Sequence, residues 1–357
     1  MIINQLLPAM SYGDAVSNSA LNMKKVMEKA GIESKIYAEH IHPKLSNIVQ
    51  PASSIPKDKP VIYHLAIGCD LAYEIPKFTD KKMILYHNIT PSHYFRGYDD
   101  QSGDLCDKGR DELLFLKDYI DIAFADSQYN ESELINVGYN NTHVTPIIIN
   151  YEDYEGAYNK ELFKKLQNSK TGTDLIFVGR LAPNKKQEDI IKTFYFYKKY
   201  FDVNARLFLV GSYTRMERYY EQLKGLVKQL ALDDVYITGH VPFNDIITYY
   251  KNADIFLNMS EHEGFCVPIL EAMKFEIPII SYKEAAVPET MGNGGVLFLD
   301  KDYKSIASLI KVIVSDLSLQ EKLLKNQKER LGYFSKLNTS DIFLKQLQKE
   351  FAFAGKK

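Results

Sequence analysis

The stretch SEHEGFCVPILEAM, residues 260–273, places two acids eight positions apart across a strand-to-helix junction. Glu263 comes directly before a glycine turn at Gly264, and Glu271 follows a short apolar run. The preceding DIFLNMS is typical of a buried parallel strand, and Pro268 suits the first turn of a helix. We therefore predict a loop at the carboxyl end of a strand, with backbone amides at a helix N-terminus that can bind sugar hydroxyls or phosphate.

The two acids suit neutral hydroxyl groups, because a carboxylate would repel a phosphate. We expect Glu263 to accept hydrogen bonds from the sugar of a ligand, and Glu271 to accept both hydroxyls of a ribose. The alternative is that Glu271 is an ordinary acid of the first helical turns, favoured there by the helix dipole.

Outward from this stretch, short apolar runs alternate with amphipathic segments along the whole chain. This alternation predicts α/β architecture with parallel sheets covered by helices on both faces. A polar stretch, YEDYEGAYNKE, separates two such series, so we predict two doubly wound domains. Ligands of such sheets bind at the carboxyl ends of the strands, which places the site in strand-to-helix loops facing a cleft between the domains.

The domain boundaries follow from the same pattern. We predict a first Rossmann-like domain over residues 1–155 and a second over residues 156–335. The segment SDIFLKQLQKEF, within residues 336–357, predicts an amphipathic terminal helix that either returns to the first domain or packs beneath the second.

Composition excludes several classes of protein. The 357 residues are 45% hydrophobic and 25% charged with a net charge of -2, which is ordinary for a globular protein and gives no field for nucleic acid. Residues 1–155 carry 14 Lys and Arg against 22 Asp and Glu, so the remainder is mildly basic. That imbalance suits an anionic ligand in the second half, or is ordinary variation in surface charge.

The cysteines and the apolar segments bear on localisation. Cys69, Cys106 and Cys266 are widely spaced, which offers no zinc site and fits a reducing cytoplasm. The N-terminal MIINQLLPAM lacks the features of a signal peptide, and no run of 18 apolar residues predicts a membrane span. The D-x-D of residues 300–302 has the spacing of a metal-nucleotide site, but we interpret it as a helix cap.

The loop FVGRLAPNKKQED, residues 177–189, predicts a diphosphate site. Gly179 allows a sharp turn after a strand, and Arg180 and Lys185 precede a helix start. The guanidinium can grip phosphate oxygens in a bidentate manner, and the ammonium adds a compact charge. The alternative is a solvated cationic surface, which is our interpretation of Lys186.

Two loops of the first half are weaker candidates. Gly13 follows the first strand and would let backbone approach an anion at a helix N-terminus, whereas Asp14 and Ser17 could be ordinary caps. His87 stands at the carboxyl end of a strand in YHNITP, where it could bind a ligand hydroxyl or transfer a proton, or be structural.

Together these motifs resemble the retaining glycosyltransferases of family 4, which have the GT-B fold. The resemblance covers nearly the whole chain and is strongest in FVGRLAPNKK, LFLVGS, VYITGHVP, SEHEGFCVPILEAM and AAVPETMGNGGVLF. Glu263 and Glu271 match the E-x7-E signature of that family. The sequence departs from the usual pattern where Cys266 replaces a glycine and Asn88 follows the histidine.

The resemblance implies a role for each matching position. It implies that Glu263, His87, Arg180 and Lys185 act in catalysis. It implies that the donor is bound by Gly13, Gly179, Arg180, Lys185, His240, Val241, Glu263, Gly264, Phe265, Cys266, Val267 and Glu271.

The implied reaction moves a sugar from a nucleotide-diphosphate donor to an acceptor hydroxyl with retention of anomeric configuration. Cations and the helix N-terminus would stabilise the leaving diphosphate, so we expect no metal and no cofactor. A further likeness to bacterial surface-polysaccharide enzymes implies a glycan or lipid-linked acceptor, peripheral association with the inner membrane face and a mannosyl donor.

Three other functions are possible for a doubly wound chain. An NAD-type oxidoreductase would need G-x-G-x-x-G after a strand, which this sequence lacks. A nucleotide-sugar epimerase of the same fold would release product without an acceptor. A catalytically inactive scaffold that binds nucleotide sugars would have no need of the intact acids and cations.

Overall fold

The structure is a computed structural model that describes residues 1–11 and 13–351, except for the side chain of Lys336. Tyr12 of the predicted first loop and residues 352–357 of the predicted terminal segment lie outside the described residues. The chain forms two compact units. The first comprises Met1–Ser92, Gln101–Asn150 and the chain from Tyr333 onward, and the second comprises His93–Asp100 and Tyr151–Gly332.

In the described part of the first unit, seven parallel strands form one sheet in the order β3-β2-β1-β4-β5-β6-β7. The strands are β1 (Asn4–Met10), β2 (Ile36–Ile41), β3 (Val49–Pro51), β4 (Val61–Leu65), β5 (Lys82–Tyr86), β6 (Ile122–Ala125) and β7 (Thr142–Val144). The central strands are buried along their length, as expected for a parallel sheet covered on both faces.

Helices pack on this sheet through their apolar faces. They are α1 (Ala15–Lys29), α2 (Asp100–Leu116), α3 (Gln128–Val137) and the terminal helix α12 (Lys336–Phe351). Phe343 and Leu347 of α12 are fully buried in a cluster with residues of α1 and the sheet. The terminal helix is therefore part of the first unit's core.

In the described part of the second unit, six parallel strands follow the order β10-β9-β8-β11-β12-β13. They are β8 (Asp174–Val178), β9 (Arg206–Val210), β10 (Val235–Gly239), β11 (Ile255–Asn258), β12 (Ile279–Tyr282) and β13 (Val296–Phe298). The helices are α4 (Lys160–Asn168), α5 (Gln187–Tyr200), α6 (Glu217–Gln229), α7 (Phe243–Asn252), α8 (Val267–Lys274), α9 (Val287–Met291), α10 (Tyr303–Ser315) and α11 (Leu317–Tyr333).

The predicted α/β class with two doubly wound, Rossmann-like domains is confirmed. The amino-acid sequence carries no clear pattern for β3 or for the start of α2. The polar, glycine-containing start of α2, DQSGD, hides its helical pattern, and three residues are too few for a strand signal.

Residues 93–100 belong to the second unit although their chain neighbours belong to the first. Arg215 donates from Nε to Oδ2 of Asp99 at 2.9 Å and from Nη2 to Oδ1 at 3.1 Å. The hydroxyl of Tyr98 donates to Gln222 at 2.7 Å. These contacts are non-local, so the amino-acid sequence carried no pattern from which to predict them.

Candidate functional site

Two of the predicted loops lie side by side in the second unit. The loop after β8 and the loop after β11 are neighbours because those strands pair directly in the parallel sheet. Asn184, 3% exposed, joins the loops. Its carbonyl oxygen accepts from the amide of Glu261 at 2.8 Å, and its side-chain amide donates to the carbonyl of His262 at 3.1 Å.

Lys185 and Glu263 form an ion pair between these loops. The Lys185 ammonium lies 2.6 Å from Oε2 of Glu263, which is 9% exposed. The predicted diphosphate cation and the predicted sugar-binding acid are therefore adjacent and neutralise each other in this structure. A ligand with an anionic diphosphate and neutral hydroxyls could interact with both groups at once.

Arg180 lies where β8 gives way to its loop. Arg180 is exposed, and its backbone carbonyl oxygen accepts from the side-chain amide of Gln187 at 3.1 Å. Gly179 and Gly211 allow the ends of β8 and β9 to approach closely, since a Cβ at Gly211 would lie 2.0 Å from the Gly179 carbonyl oxygen. The close approach fixes the path of the chain into Arg180.

The turn GFC leads into α8 through a left-handed residue. Cys266 has φ 70° and ψ 64° and caps the helix, Val267 is its first residue, and Pro268 follows. Phe265 and Cys266 are buried. Burial raises the pKa of the Cys266 thiol well above its usual value, so this side chain is an uncharged packing group.

Glu271 lies on α8 with each carboxylate oxygen hydrogen-bonded to a tyrosine. The Tyr154 hydroxyl donates to Oε1 at 2.6 Å, and the Tyr250 hydroxyl donates to Oε2 at 2.7 Å. Burial of the carboxyl group raises the pKa of Glu271, and the two tyrosine hydrogen bonds act in the opposite direction. Glu271 is therefore more than an acid favoured by a helix dipole.

A second charged network, centred on Lys301, supports the loop after β11. Lys301 donates to Glu261 at 2.7 Å and to Asp189 of α5 at 3.0 Å. Burial alone would raise the pKa of Glu261, but the hydrogen bond and charge of Lys301, together with the charge of Lys186, hold that pKa below its usual value. Lys186 therefore takes part in an ion pair, at 3.2 Å from Glu261, and is more than a solvated surface cation.

Sequence reasoning missed four of these side chains: Asn184, Lys301, Tyr154 and Tyr250. Lys301 stands inside the D-x-D segment, and Tyr154 stands in the polar stretch interpreted as a linker. Of the four, only Asn184 could have been suspected from the sequence, because it directly precedes Lys185 in the loop after β8.

His240 and Val241 follow β10, an edge strand of the second sheet. His240 is exposed, and Val241 precedes the cap of α7 at Pro242. Within the part of the chain that the structure describes, no hydrogen bond links either residue to Lys185, Glu263 or Glu271. Their predicted place beside a nucleotide base stays a prediction.

The first unit holds the other two candidates. Gly13 has φ 86°, with open space where a Cβ would stand. Asp14 is the N-cap of α1 and accepts from the amide of Ser17 at 3.0 Å, so Asp14 is an ordinary cap and Ser17 is the first-turn residue whose amide it binds.

His87 lies in a buried hydrogen-bonded chain of the first unit. Its Nδ1 lies 2.7 Å from Asp126, and its Nε2 lies 3.0 Å from Nδ1 of His64. His64 continues the chain to Gln5 at 2.9 Å, and burial lowers the pKa of His64 well below its usual value. Both ring nitrogens of His87 are thus engaged, so binding a ligand hydroxyl through the ring would require exchange of a partner.

The described part of the chain has neither a cluster of metal-binding side chains nor a helix that could span a membrane. Among residues 1–11 and 13–351, no group of three or more His, Cys, Asp and Glu side chains is arranged to hold a metal ion. Asp302 caps α10 by accepting from the amide of Lys304 at 3.1 Å, which confirms the interpretation of the D-x-D segment as a cap. No helix of the described chain has both the length and the hydrophobicity needed to cross a membrane.

The two parallel-sheet units have the GT-B fold of glycosyltransferases. A crystal structure of HepE from Anabaena in complex with UDP-glucose superposes with a TM-score of 0.77 over 98% of this chain and 100% of that one, at 17% identity. At this identity the likeness establishes the fold alone.

Residues 159–330, which lie within the second unit, match the family model described as "Glycosyl transferases group 1". The chain is 28% identical to the capsular polysaccharide biosynthesis glycosyltransferase CapM of Staphylococcus aureus over 189 residues, 51% of this chain and 47% of CapM. It thus spans about half the length of that relative. It is 25% identical to the O-antigen chain mannosyltransferase RfbU of Salmonella typhimurium over 78% of this chain and 80% of RfbU.

Proposed function

We propose that this protein is a retaining, metal-independent glycosyltransferase of family 4 that moves a sugar from a nucleoside-diphosphate donor to a hydroxyl group. The observation that carries the proposal is the convergence of the two loops on the Lys185–Glu263 ion pair at 2.6 Å. A cation for the diphosphate and an acid for the sugar are thereby within one ligand's reach.

The chemistry follows from these charges. As the bond from the sugar to the diphosphate breaks, negative charge grows on the leaving group, and Arg180 and Lys185 stabilise it. The N-terminus of α8 adds a positive dipole end at residues 264–267. Because fixed protein cations supply this stabilisation, the proposed reaction needs no metal ion.

Glu263 and Glu271 bind neutral groups in this proposal. When the diphosphate takes Lys185 as its partner, Glu263 is released to accept hydrogen bonds from the sugar near its reacting carbon. Glu271 accepts the ribose hydroxyls. His87, Gly13, His240 and Val241 keep the roles that the family resemblance implies.

For the donor and acceptor we rely on the relatives. RfbU is named a mannosyltransferase and CapM a capsular polysaccharide enzyme, which supports a mannosyl donor and a glycan or lipid-linked acceptor in cell-surface polysaccharide biosynthesis. We further propose a cytoplasmic protein that contacts the inner membrane face peripherally, for which the basic side chains at Lys24, Lys25 and Lys29 of α1 are candidates.

Thermal unfolding with a ligand panel tests the donor site. UDP, GDP, UDP-glucose and GDP-mannose are compared, and the matching nucleotide should raise the unfolding midpoint because it binds only folded protein. Arg180→Ala or Glu271→Ala should abolish that rise, whereas the control Lys322→Ala, an exposed cation of α11, should keep it. An undiminished rise in both site variants would refute the assigned site.

A further experiment tests transfer itself. The nucleotide sugar that stabilises the protein is incubated with and without glycan acceptors, and the products are separated by mass and stereochemistry. Retained configuration in an acceptor-dependent product is expected. An epimerised sugar formed without acceptor would contradict the assignment as a transferase.

A further inference from the structure

The carboxylate of Glu271 is held by two tyrosine hydroxyls, one on each oxygen. Tyr154 lies 2.6 Å from Oε1 and Tyr250 lies 2.7 Å from Oε2. Each carboxylate oxygen has two lone pairs, so each keeps one acceptor site after binding its tyrosine. The remaining pair of acceptor sites, one on each oxygen, matches the two neighbouring hydroxyls of a ribose.

The tyrosines are themselves fixed by packing. Tyr250 of α7 is 1% exposed, and its ring stacks on Phe275 with centroids 5.2 Å apart and planes at 9°. Tyr154 makes edge contacts with Phe243 at 5.1 Å and with Phe275 at 6.3 Å. The positions of both hydroxyl groups are thus set by aromatic contacts, independently of Glu271.

The short 3-10 helix of residues 151–155 carries Tyr154 and docks on α8. In addition to the Tyr154–Glu271 hydrogen bond, Glu155 pairs with Lys274 at 2.7 Å. Glu271 and Lys274 are three residues apart and therefore on one face of α8. An exposed ion pair contributes little energy, but with the tyrosine it defines how the segment sits on the helix.

The tyrosines also favour the form of Glu271 that accepts hydrogen bonds. Burial opposes the charged carboxylate and raises the pKa of Glu271, and the two hydroxyl donors counter this effect. Without them a buried carboxylate would lose its donors, which favours the protonated group. A protonated carboxyl group offers fewer acceptor sites to a diol.

We propose that Tyr154 and Tyr250 are positioning residues that orient Glu271 so that its two remaining acceptor sites receive the 2′- and 3′-hydroxyls of the donor's ribose. The segment of residues 151–155 is then a working part of the nucleotide site. This inference rests on the proposed function, in which Glu271 binds that ribose.

The test measures selectivity for ribose. Dissociation constants for UDP, GDP and their 2′-deoxy counterparts are measured by calorimetry for the wild type, Tyr154→Phe and Tyr250→Phe. Each loss of a hydroxyl should reduce the ribose-over-deoxyribose preference about fivefold, with the deoxy nucleotide bound as before. Tyr197→Phe is the matched control. The hydroxyl of Tyr197 is also buried in the second unit, but it lies 2.9 Å from the hydroxyl of Thr173 and does not bind Glu271.

The outcomes separate the two proposals. If Glu271→Gln removes the preference while both tyrosine variants keep it, the positioning inference fails and the proposed site stands. If Tyr154→Phe binds nucleotide more tightly, Tyr154 occupies the ribose position and the inference is wrong. If Glu271→Gln keeps the preference, or the wild type binds neither UDP nor GDP, the proposed site falls and the inference falls with it. Should Tyr250→Phe fail to fold, the half-buried Tyr154→Phe alone decides the matter.

Discussion

At the scale of the residue, Cys266 stands in a conformation that favours glycine. Its φ of 70° lies in the left-handed region, where a side chain on an L-residue is strained by about 1 kcal/mol. The family that this sequence resembles usually has glycine at this position, and a side chain as small as that of cysteine should be tolerated in the turn. The structure gives that tolerance a physical form, because the side chain is 6% exposed and its burial offsets the strain.

This balance predicts an inverted order of stability. Cys266→Gly should be more stable than Cys266→Ala by about 1 kcal/mol, because alanine keeps the strain and loses the sulfur, whereas glycine relieves the strain. The measurement is the thermal unfolding midpoint of both variants. Cys106, 4% exposed within α2, is the matched control, where the glycine variant should be the less stable by a similar amount. Alanine ahead of glycine at both positions would show that the left-handed backbone carries no strain.

Site residues at regular spacings could be predicted from the sequence, whereas their partners from distant segments could not. Glu263, Glu271 and Lys185 could be singled out because each stands at a fixed spacing from a glycine turn or a strand end. Tyr154 and Tyr250 could not, because their hydroxyl groups reach Glu271 from segments 117 and 21 residues away in the chain. Local patterns predict which strand end carries a side chain, but tertiary packing decides which partner it meets.

At the scale of the element, Lys301 connects three segments. It follows β13 and precedes α10, and it donates to Asp189 in the first turn of α5 and to Glu261 in the loop after β11. The sequence supported only a capping role for this segment, which Asp302 does fulfil. Strand and helix periodicity predicted most of the elements, but a lysine that links them has no periodic signature.

Lys301→Met should therefore loosen the loop after β11. Removing the ammonium leaves Asp189 and Glu261 with fewer partners, and we expect a loss of about 1–3 kcal/mol together with weaker nucleotide binding. Lys304→Met is the control, since Lys304 is an exposed neighbour that faces the Phe196 ring. Unchanged stability and affinity in Lys301→Met would show that the network does not support the loop.

The same network makes a pH prediction with a definite sign. Burial alone would raise the pKa of Asp189, but the hydrogen bonds from Tyr303 and Lys301 and the charge of Lys301 outweigh this effect. The net shift of the pKa of Asp189 is therefore downward, like that of Glu261. A carboxyl group with a lowered folded-state pKa contributes stability above its unfolded pKa of about 4, and the contribution is lost as pH falls through the folded value. The stability difference between wild type and Lys301→Met should accordingly shrink as the pH is lowered below about 4. A difference that is constant from pH 7 to pH 3 would contradict this account.

At the scale of the whole molecule, the core of the first unit depends on the C-terminal helix α12, which follows the second unit in the chain. The family match ends at residue 330, and the chain then contributes α12 to the core of the first unit. Phe343 is fully buried there, with its ring 5.9 Å from that of Phe124 on β6. The hydrophobic pattern predicted the helix, but it left two packing positions open because amphipathicity does not name the surface that is covered.

Separate cores predict separate consequences for mutations of equal size. Phe343→Ala should destabilise the first unit by about 3–5 kcal/mol, through lost burial and the cavity left behind, while the affinity for the stabilising nucleotide stays within about twofold. Phe256→Ala is the matched variant in the second unit. Phe256 is fully buried in β11, the strand before the loop that carries Glu263, and its ring stacks on Phe177 with centroids 6.4 Å apart. This variant should lower both stability and affinity, because the strand end that carries Glu263 would shift. Calorimetry below the first unfolding transition measures the affinities, and equal losses of affinity in the two variants would show that nucleotide binding depends on the cores of both units alike.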